Sequence, residues 1–157
     1  MPRPHRGRRT TMTTTRPALD HREPRRWLRG VPPRILLAED DDEVRRALAT
    51  LLQQQGYRVI TAASGDVMLD RLASSLLLEH RTEAPPDVVV ADIRMPGFNG
   101  LSILEGVRDA GWTLPYFVIT AFGDQSIRDK ALRLGATGYF DKPFDPMALV
   151  DAIDRCI

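Results

Sequence analysis

The chain has 157 residues, with 22 basic and 21 acidic side chains, 43% hydrophobic residues and one cysteine. That length favours a single domain whose core can fold unaided. No apolar run approaches the roughly 20 residues of a membrane-spanning helix. Cys156 alone forms neither an internal disulfide nor a cysteine zinc cage, which fits a reducing cytoplasm.

The formal net charge of +1 is a cancellation. Residues 1–33 carry nine arginines against two acids, Asp20 and Glu23, a balance of +7, while residues 34–157 balance at −6. The first stretch also holds six of the twelve prolines and few large apolar residues beyond Leu19, Trp27, Leu28 and Val31. Such a composition buries too little surface to offset the entropy of ordering, so residues 1–33 read as a disordered basic tail. Arg8-Arg9 resembles a twin-arginine export signal, but no apolar stretch follows it. Met12 stands as a second candidate initiator.

From Arg34 onward strand-like and helical patterns alternate. Ile35 to Ala38 is a short apolar strand that stops at four acids, Glu39 to Asp42. Val44, Leu48, Leu51 and Leu52 recur at helical spacing before Gly56. Tyr57 to Ala62 reads as a second strand. Ser64 is the expected cap of a second helix, with Val67, Leu69, Leu72 and Leu76 facing inward. Glu79 to Pro86 reads as a loop and Asp87 to Ala91 as a buried strand. Leu101, Leu104 and Val107 mark a third helix ending near Gly111. Tyr116 to Thr120 is a fourth strand, Ile127 to Leu134 a fourth helix, Thr137 to Phe140 a fifth strand and Pro146 to Ile157 a fifth helix. Strict alternation predicts an α/β fold: a doubly wound, five-stranded parallel sheet with helices on both faces.

Ligands of such sheets bind beyond the carboxyl ends of the strands. Glu39 and Asp40 end the first strand, Asp92 the third and Thr120 the fourth, and Lys142 follows the fifth. Two unit charges 4 Å apart repel by about 4 kcal/mol at an effective dielectric near 20, so three clustered carboxylates need a cation. One lysine leaves a net charge of −2, and an all-oxygen donor set suits magnesium. His5, His21 and His80 lie away from this edge. Each residue alone has a plainer reading. Asp41, Asp42 and Glu43 are best explained as complementing a helix dipole. Glu39 and Asp40 could belong to that same helix start, Asp92 could be a turn former, and Tyr139 a core aromatic at a strand end. Joint occurrence of the others on one edge is hard to reach by accident.

The acidic pair in RILLAEDD, the segment ADIRMPGFNG, and the segments VITAFGD and GATGYFDKPF, in this order, resemble the receiver domain of two-component response regulators. The resemblance spans Arg34–Ile157 and implies the flavodoxin-like receiver fold. It implies that Asp92 is the phosphoacceptor, phosphorylated by a sensor histidine kinase or a histidine phosphotransfer protein. It further implies magnesium bound by Asp40 and Asp92, by Glu39 through water, and by the backbone carbonyl of Arg94. Lys142 would pair with the acceptor or its phosphate, next to a cis Lys142-Pro143 peptide. Thr120 would bond a phosphoryl oxygen, small Ala121 would leave room for approach, and Tyr139 would be the aromatic switch that turns inward on activation.

Glu39 replaces the commoner aspartate, and Leu76 to Pro86 is longer than the family's usual connection. Arg94 and Phe122 occupy variable positions that tune phosphate lifetime, and a cation and an aromatic there are expected to exclude water. The leading expectation is a stand-alone receiver in the cytoplasm that signals to an unknown downstream protein. Two alternatives stand beside it: a phosphorylation-independent scaffold, and weak, salt-sensitive nucleic-acid binding by the tail. Sequence-specific DNA binding is not expected, since no helix-turn-helix follows the fifth helix. A turnover enzyme is not expected either: neither GxxxxGK[ST] nor GxGxxG occurs, and Asp92-Ile93-Arg94 lacks the second aspartate of haloacid-dehalogenase phosphatases.

Overall fold

Alternate residues of the central strands serve two different cores. In β1 (Arg34–Ala38), Ile35 and Leu37 point to one face while Leu36 and Ala38 point to the other. The same split occurs in β3 (Val88–Asp92) and β4 (Tyr116–Thr120), whose residues are all buried. This is why these strands read as continuous apolar runs. The computed structural model describes residues 30–77 and 84–157. The tail expected over residues 1–33 therefore lies outside the described residues up to 29. So do His5, His21, His80 and most of the expected loop.

The remaining elements are α1 (Asp42–Gln54), β2 (Arg58–Ala62), α2 (Gly65–Leu76), α3 (Gly100–Asp109), α4 (Gln125–Arg133), β5 (Gly138–Asp141) and α5 (Pro146–Asp154). All strand pairs are parallel, in the order β2-β1-β3-β4-β5. Leu48 and Leu52 of α1 and Leu149 and Ile153 of α5 cover one face. Leu72 of α2, Leu104 and Val107 of α3 and Ala131 of α4 cover the other. Fully burying each such leucine contributes about 1.5–3 kcal/mol. Among the described residues no helix is long and apolar enough to cross a membrane.

Helix α2 differs from expectation in its phase. Val67 and Leu69 are 39% and 37% exposed, whereas Met68, Leu72 and Ser75 are buried. Gly65 sets that rotation, because a Cβ there would come within 1.9 Å of the Phe98 carbonyl oxygen. The helix thus meets the β3–α3 loop at Gly65 and turns Met68 and Leu72 into the core. Ser75 remains satisfied by donating to the Leu72 carbonyl at 3.1 Å.

Other differences are shifts of an element's end. Asp124 caps α4 by accepting from Ile127 N at 2.8 Å, so the helix starts before Ile127. Thr137 stays outside β5, its hydroxyl accepting from Tyr116 N at 3.0 Å. At α1, Asp41 caps by accepting from Glu43 N and Val44 N, and the Val44 bond foremost holds its carboxyl below the usual aspartate range. Asp42 pairs with Arg45.

Candidate functional site

The carboxyl ends of β1 and β3 and the turn after β5 converge. Carboxylate oxygens of Glu39, Asp40 and Asp92 all lie within 4.8 Å of one another. Glu39 and Asp92 are 1% and 5% exposed, while Asp40 is open to solvent. Lys142 Nζ donates to Asp92 Oδ2 at 2.8 Å and to Glu39 Oε2 at 2.5 Å. The Arg94 amide donates to Asp92 Oδ1 at 3.0 Å and the Asp41 amide to Glu39 Oε1 at 3.1 Å.

Burial opposes the charge on Lys142, but its hydrogen bonds to Asp92 and Glu39 outweigh that and hold its pKa above the ordinary lysine value. Burial also pushes the Glu39 carboxyl up, against the pull of Lys142 and the Asp41 amide. Three acids around one lysine leave the site short of positive charge, and every acidic donor is oxygen. Such a set fits a hard divalent cation.

Backbone contacts hold the frame. The Lys142 amide donates to the Thr120 carbonyl at 2.8 Å, and the Lys142-Pro143 peptide is cis. Thr120 is 1% exposed, its hydroxyl accepting from Phe122 N at 3.2 Å. Ala121 and Pro143 are exposed beside it. Arg94 and Phe122 meet, the guanidinium carbon lying 4.6 Å from the ring centre.

Tyr139 is buried, with the Arg128 guanidinium 5.5 Å above its ring. Its hydroxyl lies beside Gly123 and the Asp141 carboxylate and completes no aligned hydrogen bond among the described residues. Burial first, then the Asp141 charge, raise its pKa to about 12.

Some residues shape the site although the sequence assigns them no role, Asn99 and Gly100 being named there only as part of ADIRMPGFNG. A Cβ on Gly100 would lie 2.3 Å from the Asp92 carbonyl oxygen, so α3 begins directly against the end of β3. Asn99 caps that helix, and the Tyr116 hydroxyl donates to the Gly100 carbonyl at 2.7 Å. Arg45 Nη1 donates to the Glu39 carbonyl at 2.8 Å, securing the turn that carries Glu39 and Asp40.

A parallel α/β sheet that gathers three acids, a lysine and a threonine at the carboxyl ends of its strands can hold a cation beside an anionic group. A family model of the response regulator receiver domain matches residues 35–154, and the chain belongs to that family. The chain is 37% identical over 124 residues to the probable transcriptional regulator ycf27 of Galdieria sulphuraria, covering 79% of this chain and 44% of that one. It is 40% identical over 111 residues to the transcriptional regulatory protein KdpE of Mycobacterium tuberculosis, covering 70% and 44%. The chain thus spans less than half the length of these relatives. Among solved structures, a putative response regulator from Chloroflexus aurantiacus matches at TM-score 0.69 and 33% identity, over 80% of this chain and 98% of that one. The chemotaxis protein CheY4 of Vibrio cholerae matches at TM-score 0.68 and 26% identity, over 81% of this chain and 100% of that one. Receiver domains accept phosphoryl groups, bind magnesium at an acidic pocket and interact with histidine kinases, as signalling domains.

Proposed function

We propose that this chain acts as a single-receiver response regulator in the cytoplasm. Asp92 takes a phosphoryl group from a sensor histidine kinase or a histidine phosphotransfer protein, and the phosphorylated form signals through protein–protein contacts. The observation that carries this reading is Lys142 Nζ, held between Asp92 Oδ2 and Glu39 Oε2 at the strand edge.

In the transfer, an Asp92 carboxylate oxygen bonds to phosphorus as the P–N bond to the donor imidazole breaks, and the electron pair stays on the ring nitrogen. Such a reaction needs positioning and charge neutralisation more than covalent assistance. The Arg94 amide steadies Asp92 Oδ1. Lys142 offsets the resting repulsion and stands ready to pair with a phosphoryl oxygen. Asp40, Asp92 and the Arg94 carbonyl would hold magnesium, with Glu39 assisting through water. When bound, the ion neutralises charge on the transferring group. Thr120 exchanges its bond from the Phe122 amide for one to a phosphoryl oxygen, with Ala121 leaving space for approach. Tyr139, seated against the loop that carries Gly123, couples that change to the outer face of β5.

Intact mass after incubation with magnesium and acetyl phosphate tests this reading. A phosphate adduct on the wild type and none on Asp92→Asn is expected. An adduct independent of Asp92, or no adduct at all, overturns it and favours a scaffold that binds partners without phosphorylation.

A further inference from the structure

A groove of about 320 Å³ runs between α2 and α3, on the sheet face away from α1 and α5. We propose that it receives this chain's own N-terminal segment, with Trp27 and Leu28 in the groove and Arg25, Arg26 and Arg29 on its rim. The inference is independent of the phosphorylation chemistry.

One wall is apolar and open to water: Leu69, Leu77 and Phe98 are 37%, 45% and 48% exposed. The opposite wall, Ser102, Gly106 and Ala110 at four-residue spacing, offers little bulk of its own. A Cβ on Gly106 would meet nothing within 4 Å. The half-buried Trp112 closes the lower end. An apolar cleft with one shallow wall suits an aromatic side chain supplied from outside.

Charge narrows the choice of occupant. Asp66 and Asp70 on α2 and Glu105 and Asp109 on α3 are exposed along these two helices. Their two basic side chains turn elsewhere. Arg71 lies with Ser75, Ala84 and Pro86 on the opposite flank of α2. Arg108 donates to the carbonyls of Trp112, Leu114 and Gly135. The matching occupant is apolar and flanked by cations, which describes Arg25-Arg26-Trp27-Leu28-Arg29.

The connection is also long enough. Leu77, Ala110 and Trp112 follow the ends of α2 and α3, at the sheet edge where Arg34 opens β1. Arg34 stands seven positions after Trp27. Extended, that stretch spans about 23–25 Å, enough to pass around a helix about 10–12 Å across.

The full chain has two tryptophans, so Trp27→Phe and Trp27→Ser each leave Trp112 as the sole emitter. Acrylamide quenching of Trp112 should be roughly twofold weaker in Trp27→Phe, where an aromatic ring still covers it, than in Trp27→Ser. Adding the exposed substitutions Asp70→Lys and Asp109→Lys to Trp27→Phe should restore quenching to the serine level. Equal quenching of the two single variants overturns the proposal, as does protection that survives the lysine substitutions. Protection that appears only at high protein concentration also overturns it, showing docking onto a second copy instead.

Discussion

The Arg94 guanidinium lies 4.6 Å from the centre of the Phe122 ring, joining the loop after β3 to the loop after β4 beside Asp92. Both side chains are exposed, so the contact acts as an outer cover and adds little to the core. A cation–π pair of this kind contributes about 0.5–1 kcal/mol at an exposed site. If it shields an acyl phosphate from water, removing either partner should speed dephosphorylation about two- to fivefold. Phosphate half-lives of Arg94→Ala, Phe122→Ala and the double variant are the measurement. The double variant should be hardly faster than either single one, because each loss removes the same contact. Half-lives unchanged from wild type would sink the idea.

Gly123 is set by space alone. A Cβ there would lie 1.7 Å from the Tyr139 hydroxyl oxygen and 2.5 Å from Asp141 Oδ1. Gly123→Ala should therefore cost about 1–3 kcal/mol, as overpacking does, or drive Tyr139 out of its buried position. Urea unfolding reads the cost. Combining Gly123→Ala with Tyr139→Phe removes the nearer of the two clashing oxygens and should recover part of the loss, the Asp141 contact remaining. A double variant no more stable than Gly123→Ala alone would show that Asp141 and Thr120, rather than the Tyr139 hydroxyl, set the limit at Gly123.

The strand ends were legible because a buried parallel strand leaves a run such as Val88-Val89-Val90-Ala91, and the first polar residue beyond it must lie at the ligand-binding edge. Asp92, Thr120 and the Glu39-Asp40 pair were found in that way, and the fold class followed from the alternation of elements. The phase of α2 was not legible. Val67, Leu69, Leu72 and Leu76 fit an inward helical face as well as Met68 and Leu72 do, and the close approach of Gly65 to Phe98 decides between them. Gly123 and Gly100 stand within VITAFGD and ADIRMPGFNG, but what each makes room for is not legible, for the same reason. A glycine chosen so that another chain segment can touch it leaves no periodicity, and only the packed fold reveals the neighbour. Arg108, which gathers three carbonyls between the end of α3 and the turn before β5, reads in sequence as an ordinary helix-end cation.

Among the described residues Lys142 alone bonds both buried acids, and its side chain is 18% exposed. Lys142→Met keeps the apolar stem but leaves Glu39 and Asp92 without their partner. Breaking a buried ion pair from one side costs about 3–5 kcal/mol, so the urea midpoint without metal should fall sharply. Saturating magnesium should recover part of that stability by linkage, since the ion binds the folded site. A midpoint unchanged without metal would mean that the lysine does not stabilise the resting acids.

The raised pKa of Glu39 gives the site a pH dependence of definite sign. Burial is its largest cause, and the neighbouring Asp92 charge adds to it. In the unfolded chain this carboxyl loses its proton near the ordinary glutamate value of about 4.3. In the folded chain it holds the proton to higher pH. The stability this contributes is present below the ordinary value and is lost as pH rises through the raised one. Magnesium needs the ionised carboxylate, so its apparent affinity should climb with pH across the same window and level off above it. The slope attributable to Glu39 is at most about one decade of affinity per pH unit. Titration calorimetry on wild type and Glu39→Gln separates this group from Asp40 and Asp92. The glutamine variant should bind magnesium more weakly at neutral pH, yet with a flatter dependence through the acid range. Parallel curves for the two proteins would show that the Glu39 proton does not compete with the metal.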